Sequence, residues 1–474
     1  MGKLETMSYQ KRRTMSDARH RPRMRLWRIT ALPVAVCLLA GLALVTPSSA
    51  GSSVVTPAAS GHTLASTADC AKGTAPGITA SAVRVAITVV DISGGSFTNA
   101  TVGIPTVAEQ EQYWNLVAKS INNSGGAGCR KIQLSFTDVN PVEVADAEQS
   151  CLTIANSHPY LVLDSGALTE IGASDCIPAA KEILISQFLT PDQLSKYFPY
   201  DIQPNDVPTD GLHNGVLGLK QLGYFTSAKG FKKLGVLYGT CNPALIVAER
   251  SALKQADVPS SKVVEFNLGC PTSFTAASME QAVLSFKSDG VTDVTNAGDG
   301  GAIASFSEEA ATQNYKPVYA LTDDQVSLPS TSAVEAGNPA NLKGAINVTA
   351  SGYGEAQTPG FTPSAGTKRC DAIYAAAGLP SVYKQLDGYG GAVCIDLWFV
   401  QAMLNHATSV QPQKLPAAIH AIGSVVYPYP SGPIDYGAAP KGSTYGVGYW
   451  RPEYYVESCK CWQVPKPAWH APFK

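Results

Sequence analysis

From Ile78 onward the chain alternates between two hydrophobic periods. Val83 to Val90 is a β-branched run that predicts a strand, and Asp91-Ile92-Ser93-Gly94-Gly95 predicts the loop that stops it. Val107, Trp114, Val117 and Ile121 then recur at helical spacing, and Asn122-Asn123-Ser124-Gly125-Gly126 ends that helix. Ile132 to Phe136 alternates as a strand ending near Asp138. The same alternation predicts a helix over 144–154 and short buried strands over 160–163 and 183–185. A polar, proline-bearing stretch at 201–210 then suits a crossing between domains.

A second set follows. Helices are predicted over 211–222, 279–286, 302–314 and 389–405, and strands over 234–238, 263–266, 291–295 and 318–321. Strand–helix–strand order of this length implies parallel sheets covered by helices. Two such sets imply two α/β lobes with a cleft between them.

The first fifty residues break the pattern. They carry nine Lys or Arg against Glu5 and Asp17, then the uncharged run Ile29–Val45, then Ser48-Ser49-Ala50. That order reads as a signal peptide, with a retained anchor as the rival. Residues 51–77 are rich in Ser, Thr, Ala and Gly and read as a flexible linker. Export follows as the expected location, extracytoplasmic and either envelope-associated or secreted. The formal charge of −2 over 474 residues becomes about −9 once the basic leader is set aside. Such a body argues against nucleic acid as a partner, because phosphate contacts need a basic surface.

Eleven cysteines become ten when Cys37, inside the apolar leader, is removed. An even number in an exported chain suggests disulfides, although connectivity does not follow from spacing. The candidate pairs are Cys151–Cys176, Cys241–Cys270 and Cys370–Cys394, with Cys70–Cys129 a further candidate; buried thiols are the alternative. Cys459-Lys460-Cys461 has no second Cys or His pair nearby and is not a zinc signature.

Four segments resemble one family. "YWNLVAKSINNSGGAGCRKIQLSFTD" (113–138), "CLTIANSHPYLVLDSG" (151–166) with Cys176 beyond it, "EEAATQNYKPVYALTDD" (308–324) and "GYGGAVCIDLWFVQAM" (388–403) are similar, in order and spacing, to type I periplasmic binding proteins of ABC importers. The likeness is greatest to their branched-chain amino-acid (Leu/Ile/Val) group, many members of which pair two cysteines in the second of these segments. The resemblance covers roughly residues 78–455. It implies two Rossmann-like lobes with parallel sheets joined by a multi-crossing hinge. One lobe would hold 78–208 and 360–432, the other 209–359 and 433–458, leaving a C-terminal tail over 459–474. It also implies a monomeric, non-enzymatic receptor that closes on a small-molecule solute and delivers it to a membrane permease, with no cofactor.

Ligands of open α/β sheets bind beyond the carboxyl ends of the strands. Here that rule selects Ser93–Ser96, 165–169 and 187–190 in the first lobe, and 238–240, 296–299 and 322–324 in the second. The first-lobe loops are rich in hydroxyls, Gly and amides, suited to a carboxylate. The second-lobe loops carry carboxylates and a Tyr, suited to an ammonium group. The resemblance would place an amino acid with its carboxylate on Ser165 or Thr169 and on Thr190, and its ammonium on Asp323 or Asp324 near Tyr238. Gly166 and Asn296 complete the candidate set with Ser93, and Phe188 and Leu168 could pack on the solute's side chain. Asp164 adds a charge where amino-acid binders of the family often lack one, which leaves room for an amide, a urea-like solute or a small polyol. Each of these residues also has an ordinary use in turns, helix caps or the core.

Other chemistries lack their motifs. Gly298, Gly300 and Gly301 do not complete a dinucleotide fingerprint, and neither a phosphate loop nor a Gly-x-Ser-x-Gly elbow is present. The seven histidines have no partners at metal spacing. A ligand-sensing module for a membrane signalling partner, or an exported hydrolase on the same scaffold, remain the alternatives.

Overall fold

The structure is a computed structural model. It describes residues 70–473 apart from 95–96, 100–103, 142, 170, 241–242, 270–274, 298–299, 323–341, 386–387 and 465–467. The expected signal segment, and the expected linker as far as residue 69, lie outside the described residues. Residues 70–77, expected as the end of that linker, are held down instead. Cys70 is disulfide-bonded to Cys129, Ala71 is buried, and Lys72 pairs with Ser409.

The first lobe begins with β1 (Ala82–Val90), followed by a ribbon of β2 (Ser93–Gly94) and β3 (Phe97–Thr98). Helix α1 (Val107–Asn123) starts at Thr106, which forms a capping box with Glu109. Its buried residues Gln110, Tyr113, Trp114, Val117, Ala118 and Ile121 fall on one stripe of a 3.6-residue period. Then come β4 (Lys131–Val139), α2 (Val144–Asn156), β5 (Leu161–Asp164), α3 (Cys176–Ala179), β6 (Ile183–Ser186), α4 (Pro191–Lys196) and β7 (Asp201–Ile202). The sheet order is β4-β1-β5-β6-β7, parallel throughout. Alternate side chains of β1 serve two cores. Val83, Val85, Ile87 and Val89 pack on the α1 side, whereas Ala86 and Val90 join α2.

The second lobe follows with α5 (Pro208–Gln221), β8 (Leu234–Tyr238), α6 (Pro243–Gln255), β9 (Val263–Asn267), α7 (Ala276–Ser288), β10 (Asp293–Ala297), α8 (Gly300–Thr312), β11 (Val318–Leu321) and β12 (Ile346–Thr349). The chain then returns to the first lobe with α9 (Ala365–Ala375), α10 (Tyr389–His406) and α11 (Leu415–Ile422), and a small antiparallel sheet of β13 (Ser424–Val426), β14 (Pro433–Asp435) and β15 (Val447–Gly448). Strands β16 (Arg451–Val456) and β17 (Cys461–Gln463) finish the second sheet, in the order β17-β16-β12-β11-β10-β8-β9. The pairings from β9 to β12 are parallel, and β16 and β17 add antiparallel edges.

Helix α10 is buried nearly all round because it fills the first lobe against α1. A Cβ on its Gly391 would fall 1.7 Å from the carbonyl oxygen of Tyr429, so only glycine allows that approach. Cys370–Cys394 ties α9 to α10, and Cys151–Cys176 ties α2 to α3. The Cys241–Cys270 pairing lies outside the described residues. Cys459 and Cys461, absent from the expected pairs, are bonded to each other.

Three segments cross between the lobes, at 203–207, 350–353 and 449–451, and they lie against the strap 430–448. Gln203 N–H donates to Thr444 O at 2.8 Å, Gly446 N–H to Asn205 O at 3.3 Å, and Gly352 N–H to Pro430 O at 2.6 Å. The last crossing falls later than the expected position 433. Ile434 and Tyr436 still belong to the first-lobe core, where Tyr436 packs on Phe399.

Beside these crossings lies a buried ion cluster. The Arg451 side chain is wholly buried; its Nη1 is 2.8 Å from Glu355 Oε1 and its Nη2 3.9 Å from Glu453 Oε1. Trp469 of the tail covers the guanidinium at 4.0 Å from its ring centroid. Tyr383 O–H donates to Glu355, and Gly354 N–H and Asn347 Nδ2 donate to Glu453. Burial pushes both carboxyl groups up, Glu453 to about 7, against the opposing pull of Arg451. Removing the cation leaves two carboxyl groups buried without a counter-charge. Arg451→Met is therefore expected to destabilise the protein by about 3–5 kcal/mol, read from denaturant unfolding.

Candidate functional site

Strand β7 runs parallel to β6 and leads into the first crossing, while β12 runs parallel to β11 and leads into the second. The carboxyl ends of both sheets therefore lie on the side where the chain leaves for the other lobe. Solutes of open α/β sheets bind at such ends.

In the first lobe one row across three strands organises the rim. The register aligns Thr88 with Asp164, and Asp164 with Ser186. All three are buried, and their side chains are joined through hydrogen bonds. Asp164 Oδ1 accepts from the Thr88 hydroxyl at 2.7 Å and from Leu168 N–H at 3.1 Å. Its Oδ2 accepts from Thr169 N–H at 3.0 Å and from the Thr169 hydroxyl at 2.8 Å, and that hydroxyl also meets Ser186 Oγ at 2.8 Å. Asp164 thus folds the 165–169 turn instead of adding free charge to the cleft. Gly166 turns the chain with φ +98°, a conformation that favours glycine.

This network sorts the expected contacts. Thr169 is committed to Asp164 and Ser186, and Leu168 is wholly buried in the core behind the turn. Thr190 caps α4, its Oγ1 accepting from Gln193 N–H at 3.2 Å while the Gln193 side chain accepts in return. These three serve the local fold. Ser165 is half-buried, and its hydroxyl donates to Thr88 O at 3.0 Å, leaving its lone pairs able to accept. Phe188 is half-buried at the end of β6. Ser93 pairs with Thr98 in the β2–β3 ribbon; its side chain is outside the described set.

One group escaped sequence reasoning. Asp396, on α10, is 7% exposed and accepts from Gln187 Nε2 at 3.0 Å. It is the single charged residue in the run Gly390–His406, and a lone carboxylate within an apolar helix was the available signal. Burial raises its carboxyl to about 7; the Gln187 bond opposes the rise and the charge of Asp164 adds to it.

In the second lobe, Tyr238 ends β8 half-buried, and Asn296 lies one register position away on β10. Asn296 is 1% exposed, and neither polar atom of its side chain has a hydrogen-bond partner among the described residues. The Thr322 hydroxyl, just beyond β11, is in the same condition. Such groups are costly to bury unless something satisfies them. Asp323 and Asp324 lie outside the described residues. Among the described residues no cluster of His, Cys, Asp and Glu could hold a metal ion.

No family model and no curated protein matches the sequence. Solved structures do match the fold. A leucine-binding protein of Thermotoga maritima is 13% identical, with a TM-score of 0.57 over 82% of this chain and 99% of its own. The fold is that of the type I periplasmic binding proteins. A solute-binding protein of an ABC transporter from R. palustris, in complex with 4-hydroxybenzoate, is 12% identical with a TM-score of 0.57, over 82% of this chain and 97% of its own. A fatty acid ABC transporter substrate-binding protein from Thermomonospora curvata is 17% identical, also with a TM-score of 0.57, over 84% and 95%. All three are described as binding proteins, and the ligands named for them differ.

Two outcomes test the site's construction. Asp164→Ala takes the acceptor from the buried Thr88 hydroxyl and from the Leu168 and Thr169 N–H groups and is expected to cost at least about 2 kcal/mol in denaturant unfolding. Asp396 binds its proton more tightly folded than unfolded, so its contribution to stability is full below about pH 4 and is lost as pH rises toward 7. Asp396→Asn should remove one proton's share of that slope, about 1.4 kcal/mol per pH unit, when stability is measured across the window.

Proposed function

We propose that this chain is the extracytoplasmic receptor of an ABC importer, a non-enzymatic monomer that closes two lobes on a small polar solute and presents it to a membrane permease. The observation that carries the reading is the placement of both sets of strand ends on the crossing side, with half-buried or unpartnered polar groups in each lobe. Three crossings permit hinge closure without unfolding either sheet. The disulfides are compatible with export into an oxidising compartment.

Within this reading the solute is an amino acid or an amide-like molecule. Ser165 and the turn at Gly166 take its carboxylate or amide oxygen, and Phe188 packs on its apolar part. From the second lobe, Tyr238 and Asn296 engage its polar end, with Asp323 or Asp324 supplying the counter-charge to an ammonium. The commitment of Thr169 and Thr190 to the fold moves the weight of the first-lobe contact onto Ser165. The neighbours' ligands include leucine and 4-hydroxybenzoate, both carboxylates, in keeping with an oxyanion held by neutral donors.

A thermal-shift series on the chain from residue 51 tests this. Amino acids and amides are expected to raise the midpoint, with about 2.7 kcal/mol of stabilisation at a hundredfold excess over Kd. Tyr238→Ala should weaken that binding roughly tenfold or more, measured by calorimetry, without lowering the midpoint of the unliganded protein by a comparable amount. A shift confined to aromatic or fatty carboxylates would replace the solute class while keeping the receptor. Turnover of a bound solute would overturn the receptor itself.

A further inference from the structure

The second sheet ends in a hairpin that the solute-binding role does not use. Strand β16 turns back into β17 through Cys459-Lys460-Cys461, and the two cysteines are bonded to each other. The bond spans two positions of sequence, against 59, 25 and 24 for the other described disulfides. A disulfide stabilises largely by closing a loop of the unfolded chain, so one closing so short a loop adds little and has little to protect it. Its two sulfurs are also unequally placed. Cys459 is exposed at the tip, whereas Cys461 is 6% exposed at the start of β17. Cys370 and Cys394, by contrast, are wholly buried.

We propose that Cys459–Cys461 is a thiol–disulfide exchange site, opened at Cys459 by low-molecular-weight thiols of the glutathione class. The incoming thiolate attacks the exposed Cys459 Sγ. The S–S bond breaks, its electron pair stays on Cys461 Sγ, and a mixed disulfide remains on Cys459. A second thiol displaces the first as a small-molecule disulfide, so two thiols are oxidised and both cysteines are reduced, with solvent supplying the protons. The direction of attack is set by exposure, because Cys459 is open to an incoming thiol and Cys461 is not. Gln463 Nε2 lies 3.5 Å from Cys459 Sγ and 3.8 Å from Cys461 Sγ, an amide donor beside both sulfurs, and exposed Lys460 stands between the two cysteines in sequence, where positive charge favours thiolate formation. Backbone pairing of Val456 with Cys461 and of Tyr455 with Trp462 holds the hairpin independently of the bond. Trp462 is anchored in the second-lobe core beneath it. The opened thiols therefore stay close enough to close again.

The test uses the intact oxidised protein in graded mixtures of reduced and oxidised glutathione, quenched with N-ethylmaleimide and mapped by peptide mass spectrometry. Cys459 and Cys461 are expected to become labelled roughly tenfold or more faster than Cys370 and Cys394, with the glutathione adduct on Cys459 alone. A Cys461→Ser variant should accumulate one stable adduct on Cys459 at an unchanged thermal midpoint. Labelling no faster than the buried pair, an adduct on Cys461, or a Cys461→Ser protein that takes up no glutathione would each overturn the proposal. Finding Cys459 and Cys461 as free thiols in protein prepared under oxidising conditions would overturn it too.

Discussion

Arg451 is a cation with no access to water, held between Glu355 and Glu453 where the chain passes from one lobe to the other. Desolvating a guanidinium costs several kcal/mol, against which stand the two carboxyl groups, while its Nε finds no hydrogen-bond partner among the described residues. Glu355 follows the crossing out of β12, Glu453 lies on β16, and Trp469 comes from the tail. The cluster therefore joins the second crossing, the last strand and the C-terminal segment at one point. Arg451 also donates to Ser351 O at 3.3 Å, on the crossing itself. The cluster thereby sets the register of these segments against one another. Directional contacts among buried charges provide that register more specifically than apolar packing could.

The first-lobe rim solves a different problem. A carboxylate at a strand end would ordinarily make the cleft acidic. Here Asp164 is turned inward and uses both oxygens on the turn that follows it. The 165–169 turn is thus held from beneath by a buried charge. The charge that Asp164 adds in the sequence is taken up by the turn, as its hydrogen bonds show.

The regular elements were legible because they repeat clean periods. Val83–Val90 and Val107–Ile121 carry their strand and helix in the spacing of apolar residues alone, and the alternation of such segments implies the two parallel sheets. Later elements were less legible. The β13–β17 region is short, rich in Gly, Pro and Tyr, and shaped by contacts with distant segments, such as Gln203 with Thr444. Site residues were readable only to the level of the loop. Ser165, Thr169 and Thr190 are the same kind of residue at the same kind of strand end. What separates them is their partners: Thr169 is tied to Asp164 and Ser186, and Thr190 to Gln193 three residues on, a capping-box spacing that was readable, whereas Ser165 gives its proton to Thr88 O and keeps lone pairs that can accept. Asp396 was missed for the converse reason, since its partner Gln187 is 209 residues away in sequence.

The core of the first lobe is built from both ends of the chain. Trp114 Nε1 donates to the Tyr389 hydroxyl across 275 residues, and Gly128 N–H to Asn405 Oδ1 across 277. One face of the β-sheet made early in synthesis is therefore covered only in part, by α1, until α10 has emerged. Contacts of such sequence separation make folding slow, because a long loop must close before any packing is gained. Two other cores close within shorter stretches, 86–207 and 212–297, so compaction can begin early while this one core waits until about nine-tenths of the chain is available.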